Sequence, residues 1–474
     1  MSEQVEGVGD LAIVLHSHMP YVEGFGTYPF GEEWLFDAIV RSYLPVLDIA
    51  RDLTVTVTPV LADQLEADGV PERLETFLRE YRVGSAQVDI ETAEPDYMPA
   101  AAAEHARYLR ATELLSAHGG DPLAAFREAS RSGRVCLAAS SATHAVLPLL
   151  ATRKGLDLQI ATGMESHHRR FGRTGGFWLP ECAYEPGLEW DLARHGVEWF
   201  CTDQSRFESG DEALAPVRTG AGPTAFTIDW PAVGWLWDMK GYPSWSGYLD
   251  FHSLSMNGMR IFSIGGGAHD PVAAAEQAKS HAREFLSSVA DRLGHYRERT
   301  GNRGTLVFAV DMELLGHWWS EGPLWLEEVL KGAAGAGVGL RRLDEVPGEA
   351  GREAELKKST WGEDKDFHTW DAPVVADMAW ACRQLELRVL NAVTGRRNLP
   401  EGAAERAVRE MLGAQASDWA FLDGRRQAGD YAYERALQHS EAAYEALDCA
   451  SDVLIDSRMR SLAPDLNIAP LLEP

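Results

Sequence analysis

Cysteine is scarce in this chain. Cys136, Cys182, Cys201, Cys382 and Cys449 are scattered through 474 residues without CxxC spacing. That argues against a disulfide framework and against a zinc ribbon, and suits reduced thiols. Positive charge is also short: 44 Lys and Arg against 72 Asp and Glu leave a net charge of −28. Phosphate binding needs a basic face, so nucleic acid is not an expected partner. No apolar run approaches about 20 residues, which leaves no expected membrane span. The opening Met1-Ser-Glu-Gln-Val-Glu is acidic and runs straight into a strand-like stretch, unlike a secretory signal. These features together predict a cytoplasmic protein. Internal repeats and low-complexity tracts are missing too. Tryptophan is what the chain has in quantity, at 15 residues. Its flat faces suit a neutral, hydroxyl-rich ligand such as a sugar.

Seven strand-like runs recur, most followed by a helical pattern: 11–15, 54–60, 135–139, 176–179, 197–202, 260–264 and 306–310. Continuous apolar strands alternating with helices predict a parallel sheet covered on both faces. Seven rather than eight predicts an α/β fold of the incomplete (β/α)7 barrel type. From about Pro373 the pattern becomes helical, over 374–393, 403–421 and 431–453. The expected division is a catalytic barrel over 8–370, with a short insertion at 203–240, and a C-terminal α-helical domain over 371–474. The Gly-, Pro- and Ala-rich stretch 208–223 is the most loop-like interior segment.

Two acidic residues follow strand-like runs, where barrel enzymes place catalytic side chains. Glu181 lies in Trp178-Leu-Pro-Glu-Cys-Ala-Tyr184, and Asp311 in Phe308-Ala-Val-Asp-Met-Glu-Leu-Leu-Gly-His-Trp-Trp319. An ionised carboxylate in an apolar run is costly unless it is paired or used. Glu313 would share a face with Asp311 if the strand continued, which makes it a rival for either role. His16-Ser-His18 ends the first strand and His144 closes the third. HxH at a strand end is also a metal-ligand pattern, and histidines satisfied by neighbouring groups are the plainer alternative. Trp361 and Trp370 flank a charged loop, as aromatics lining a cleft do. His317-Trp318-Trp319 reads either as core or as cleft.

Together these motifs resemble glycoside hydrolase family 57, the α-glucan-active enzymes on an incomplete (β/α)7 barrel. The resemblance rests on Leu15–Tyr21, Ser141–Ala145, Trp178–Tyr184, Asp311–Trp319 and Ser359–Gly362 with Trp370. It implies Glu181 as nucleophile, Asp311 as general acid/base, and His16, His18 and His144 on the sugar near the cleavage point. Within the family, Tyr28–Trp34, Tyr43-Leu-Pro45, Gly241-Tyr-Pro243, His281-Ala282 and Gln415–Phe421 resemble 1,4-α-glucan branching enzymes. That implies Asp418 and Trp237 as further substrate-binding residues. It implies an α-glucan such as amylose, starch or glycogen as partner, and neither a cofactor nor a metal.

Two departures from the branching pattern stand out. No Tyr lies between Tyr184 and Tyr242, and Ile228 precedes Asp229 where an Arg is usual. Both predict an enzyme that hydrolyses an appreciable share of its intermediate. An α-amylase-like hydrolase is the alternative. A zinc-dependent hydrolase or deacetylase built on His16 and His18 is the rival from another class.

Overall fold

The first strand, β1 (Gly9–Ser17), is buried at all nine residues. Such a strand must be covered on both faces, as its unbroken apolar run predicts. In this computed structural model nine more strands follow among the described residues: β2 (Leu53–Val57), β3 (Val135–Ser140), β4 (Gly176–Trp178), β5 (Trp199–Thr202), β6 (Val217–Arg218), β7 (Thr224–Thr227), β8 (Gly304–Asp311), β9 (Val338–Leu340) and β10 (Arg352–Glu353). The described residues are 7–24, 26, 30–208, 210–348, 351–395, 399–400, 402–448 and 460–472. Outside them lie the acidic opening 1–6, residues 28–29 of the stretch 28–34, residue 209 of the loop-like segment 208–223, residues 449–453 of the third predicted C-terminal helix, and Cys449.

The sheet order is β10-β6-β7-β5-β4-β3-β2-β1-β8, with β9 beside the start of β1. Every pairing is parallel except β6 with β7. Seven parallel strands, from β7 round to β8, therefore form the curled wall. Among the described residues, β7 and β8 do not pair as strands. The Asp229 N–H, just past β7, donates to the Val307 carbonyl of β8 at 2.9 Å. The barrel is thus incomplete at one seam, as the strand count predicts.

One predicted strand is wrong and one was missed. Residues 260–264 make only isolated bridges, Leu249 with Ser263 and Phe262 with Ala268, within a long excursion. The seventh barrel strand is β7, only four residues long and rich in Thr. It lies in the segment 203–240, together with β6 and the helix Trp230–Trp237. The run 54–60 is also shorter than expected, because Pro59 opens the helix Pro59–Leu65.

Beyond residue 373 come the helices Ala376–Thr394, Ala403–Ala414, Ser417–Gly424 and Tyr431–Asp448. Their apolar faces join the same buried cluster as β1, β2 and β8. The single helix predicted over 403–421 is broken at Ala416, whose backbone is extended. Ala416 bridges to Ala145, and the Ser417 N–H donates to the His144 carbonyl at 3.1 Å. Tertiary pairing overrides helical periodicity there and turns the start of the next helix toward the ends of β1, β3 and β4. Among the described residues, no helix is long and apolar enough to cross a membrane.

Candidate active site

Register brings the first residues together. Thr56 on β2 pairs with His16 on β1, and His16 with Asp311 on β8. Residues level with one another on parallel strands point to the same face. The three therefore share one side at the C-terminal edge of the sheet. Beyond β3 and β4 the chain makes two strained turns: φ is 58° at His144, 59° at Glu181 and 50° at Cys182. Side chains with a Cβ rarely adopt this left-handed conformation, and such strain concentrates at functional sites. The helix Arg153–Phe171 lies tight against the first turn, where a Cβ at Gly163 would collide with the Ser140 carbonyl oxygen. The second is clamped by Ser359–Trp361. Tyr184 and Ser359 exchange backbone bonds of 2.9 and 3.0 Å, and the Trp361 N–H donates to the Glu181 carbonyl at 2.9 Å.

Both oxygens of the Glu181 carboxyl are held. The Ser417 hydroxyl donates to Oε1 at 2.7 Å, and the Trp361 indole N–H to Oε2 at 2.9 Å. Burial pushes the Glu181 pKa up, and these two donors work against it by favouring the ionised form. Asp311 differs: among the described residues nothing hydrogen-bonds its carboxyl. Burial, then the charges of Glu313 and Glu181, hold it well above the usual carboxylate range, opposed only by His18. Glu313 does not sit on a continued strand. β8 ends at Asp311, and Glu313 lies in the tight turn Met312–Leu314. There it accepts from the Tyr43 hydroxyl and from the His18 N–H at 3.0 Å. Burial raises it to about 7.

The three histidines form a stack. Ring centroids are 3.9 Å apart for His18 and His144, and 4.9 Å for His16 and His144. His16 also stacks on Trp178 at 4.7 Å, and Trp178 meets Trp361 edge-on at 5.2 Å. The ring nitrogens are engaged by the protein. His16 Nδ1 meets Thr56 Oγ1 at 2.6 Å, and its Nε2 meets His144 Nε2 at 3.0 Å. His144 Nδ1 meets Ser417 Oγ at 2.9 Å. His18 bridges Thr58 Oγ1 at 3.0 Å and Asp418 Oδ1 at 2.9 Å. Burial opposes charge on His18, but Asp418, Glu313 and Glu181 outweigh it and raise its pKa. His16 and His144 are pushed well down, chiefly by burial. Among the described residues, no group of three or more His, Cys, Asp or Glu could hold a metal ion.

The remaining candidates are distributed unevenly. Asp418 belongs to this cluster, and its Oδ2 is buried with no partner among the described residues. Trp237 is 43% exposed and stacks on Trp318 at 6.2 Å. Trp370 is 3% exposed and packs with Val146, Ala183 and Phe367, so it walls the site from behind. His317 and Trp319 are buried, and His317 bonds Asp37 at 3.0 Å. Ile228 is fully buried in the core, while Asp229 meets an arginine from elsewhere, Arg292, at 2.5–2.6 Å. Sequence reasoning missed Thr56, Thr58, Tyr43 and Ser417. The threonines had a signal, since Thr54 and Thr56 alternate along a buried strand and Thr58 continues the spacing just past its end.

The model of the family described as glycosyl hydrolase family 57 matches residues 12–222. The model described as 1,4-alpha-glucan branching enzyme, C-terminal, matches residues 380–473. A 1,4-alpha-glucan branching enzyme of Thermococcus kodakarensis is 32% identical over 491 residues, covering 91% of this chain and 72% of that protein. The crystal structure of a GH57-type branching enzyme from Pyrococcus horikoshii superimposes with a TM-score of 0.91 at 28% identity, covering 98% of this chain and 97% of that one. The alpha-amylase AmyC of Thermotoga maritima does so with a TM-score of 0.81 at 25% identity, covering 95% and 94%.

Proposed function

This chain belongs to glycosyl hydrolase family 57, and we propose that it is a 1,4-α-glucan branching enzyme working by double displacement. Glu181 attacks the anomeric carbon of an α-1,4-linked glucosyl unit while Asp311 protonates the departing glycosidic oxygen. The carboxylate left on Asp311 then deprotonates a 6-hydroxyl of an acceptor glucan, which displaces Glu181 and closes an α-1,6 branch. Two inversions give net retention, for which the carboxyls should stand about 5–5.5 Å apart.

One observation carries this reading. A carboxylate held by two donors faces a second that burial and like charge keep protonated. Burial raises both carboxyls, but only Glu181 has hydrogen-bond donors opposing the rise, which favours Glu181 as nucleophile and Asp311 as acid. His16, His18 and His144 line the sugar site beside them. The free Oδ2 of Asp418 is suited to a sugar hydroxyl, since a buried acceptor without a partner is costly. Trp361 and the exposed Trp237 supply faces for pyranose rings, with Trp370 supporting from behind. The natural substrate is a starch- or glycogen-like α-glucan in the cytoplasm. The working division is a catalytic part over 8–370 and a helical part over 371–474 that delivers Ser417 and Asp418.

An α-amylase-like activity is the second reading, favoured by the likeness to AmyC and by the segment 203–240 without a Tyr. The zinc-hydrolase reading is weakened because the ring nitrogens of His16, His18 and His144 are engaged with Thr, Ser, Asp and one another. Incubation with amylose, followed by enzymatic debranching and chain-length analysis, tests the proposal. New debranchable chains are the expected result, and reducing ends with no branches would leave the amylase reading.

A further inference from the structure

A continuous chain of hydrogen bonds runs from the sheet to Glu181, and its last member comes from the C-terminal helices. The contacts are Thr56 Oγ1 with His16 Nδ1 at 2.6 Å, His16 Nε2 with His144 Nε2 at 3.0 Å, His144 Nδ1 with Ser417 Oγ at 2.9 Å, and Ser417 Oγ with Glu181 Oε1 at 2.7 Å. Thr56, His16, His144 and Ser417 are all buried, so water does not compete for these contacts.

The chemistry of each group fixes the direction of every bond. An ionised carboxylate only accepts, so the Ser417 proton must point at Glu181. Ser417 Oγ then receives the Nδ1–H of His144. A neutral imidazole carries one N–H, which leaves His144 Nε2 as an acceptor for the Nε2–H of His16. His16 Nδ1, now bare, receives the Thr56 hydroxyl proton. All four donors face the same way, and aligned hydrogen bonds polarise one another.

We propose that Ser417 is a positioning residue for the nucleophile, the last link of a one-way relay from Thr56 that orients Glu181 and holds it ionised. The proposal rests on the reading of Glu181 as nucleophile and adds to it a task for the C-terminal helical part. The extended Ala416, the Ala145–Ala416 bridge and the Ser417 N–H bond to His144 place that hydroxyl. The charged and titratable groups facing Glu181 are His18 from β1, His144 after β3, its neighbour Cys182, Asp311 at the end of β8, and Asp418 beside Ser417. His144 Nδ1 lies 3.7 Å from Glu181 Oε1, beyond hydrogen-bond reach, so among the described residues Ser417 is the donor to that oxygen.

The test is the acidic limb of kcat/KM on amylose, which reports ionisation of the nucleophile in the free enzyme. Losing a donor to a carboxylate raises its pKa, so the limb should move to higher pH. Ser417→Ala is expected to move it by about one unit and to lower kcat/KM roughly tenfold at acidic pH. Thr56→Val is nearly isosteric and does not touch Glu181. It is expected to move the limb the same way by a few tenths of a unit. If Ser417→Ala does not fold, Thr56→Val decides by itself. A merely structural role would lower the melting temperature and leave the limb in place. An unmoved limb in either folded variant overturns the relay. Wild-type enzyme inactive on amylose would instead overturn the functional reading on which the relay rests.

Discussion

The two sides of the cleft treat their carboxylates differently. On the β3–β4 side, Glu181 sits on a strained turn, gripped at one oxygen by Trp361 and at the other by Ser417. On the β8 side, Asp311 ends a regular strand. Nothing described bonds its carboxyl, and the acidic Glu313 lies two residues on. A nucleophile must be ionised and aimed along one line of attack, which asks for fixed donors. An acid must keep its proton until the glycosidic oxygen arrives, which asks for burial and a like charge. Burial raises both carboxyls, and only on the Glu181 side do two donors work against it.

Removing the carboxyls should give the largest effects and separate the two sides. Glu181→Gln and Asp311→Asn should each lower turnover on amylose by several orders of magnitude. With an α-glucosyl fluoride, whose leaving group needs no proton, Asp311→Asn should still form the glycosyl-enzyme, giving a burst of fluoride. Glu181→Gln should give none. Equal bursts, or none from either variant, would erase the distinction.

Smaller changes should move one side at a time. Trp361→Phe removes the donor to Glu181 Oε2 and should lower kcat/KM roughly ten- to hundred-fold. Glu313→Gln removes the charge that helps hold Asp311 protonated. The Asp311 pKa should then fall, and the basic limb of the pH–rate profile should move to lower pH while the acidic limb stays. Movement of the acidic limb would mean that Glu313 acts on Glu181. The smallest expected difference concerns the acceptor. The segment 203–240 has no Tyr, and a barrier difference of about 1.4 kcal/mol between water and a glucan hydroxyl changes their ratio tenfold. Branches and reducing ends counted in one amylose digest should therefore rise together. Branches without new reducing ends would show that water is fully excluded.

The same contrast governs what could be read from the sequence. β1, β3 and β8 were legible because a strand buried on both faces needs an unbroken apolar run, and β2 because its Val and Thr are β-branched. β7 was not, because Thr-Ala-Phe-Thr is short and becomes a strand by lying along β5. Residues 260–264 have better strand composition but no long neighbour to pair with. Composition sets propensity, and the available edge decides the outcome. At the site, Glu181, Asp311 and the three histidines stood out because each lies at or just beyond the end of a strand-like run. Ser417 did not, because it lies 236 residues from Glu181 on a helix break made by tertiary pairing. Glu313 misled because alternation along a strand holds only while the strand lasts.

Chemical rescue by azide tests the central claim, the division of labour between Glu181 and Asp311, most directly. In Glu181→Ala, azide should occupy the space of the missing nucleophile and yield a β-glucosyl azide from α-glucosyl fluoride. In Asp311→Ala, the glycosyl-enzyme should form first, and azide should displace Glu181 from the opposite face to give the α-glucosyl azide. NMR of the two products reads the anomeric configuration. β from the first variant and α from the second is the predicted pair. The reverse pair would exchange the roles, and the same anomer from both would contradict the account.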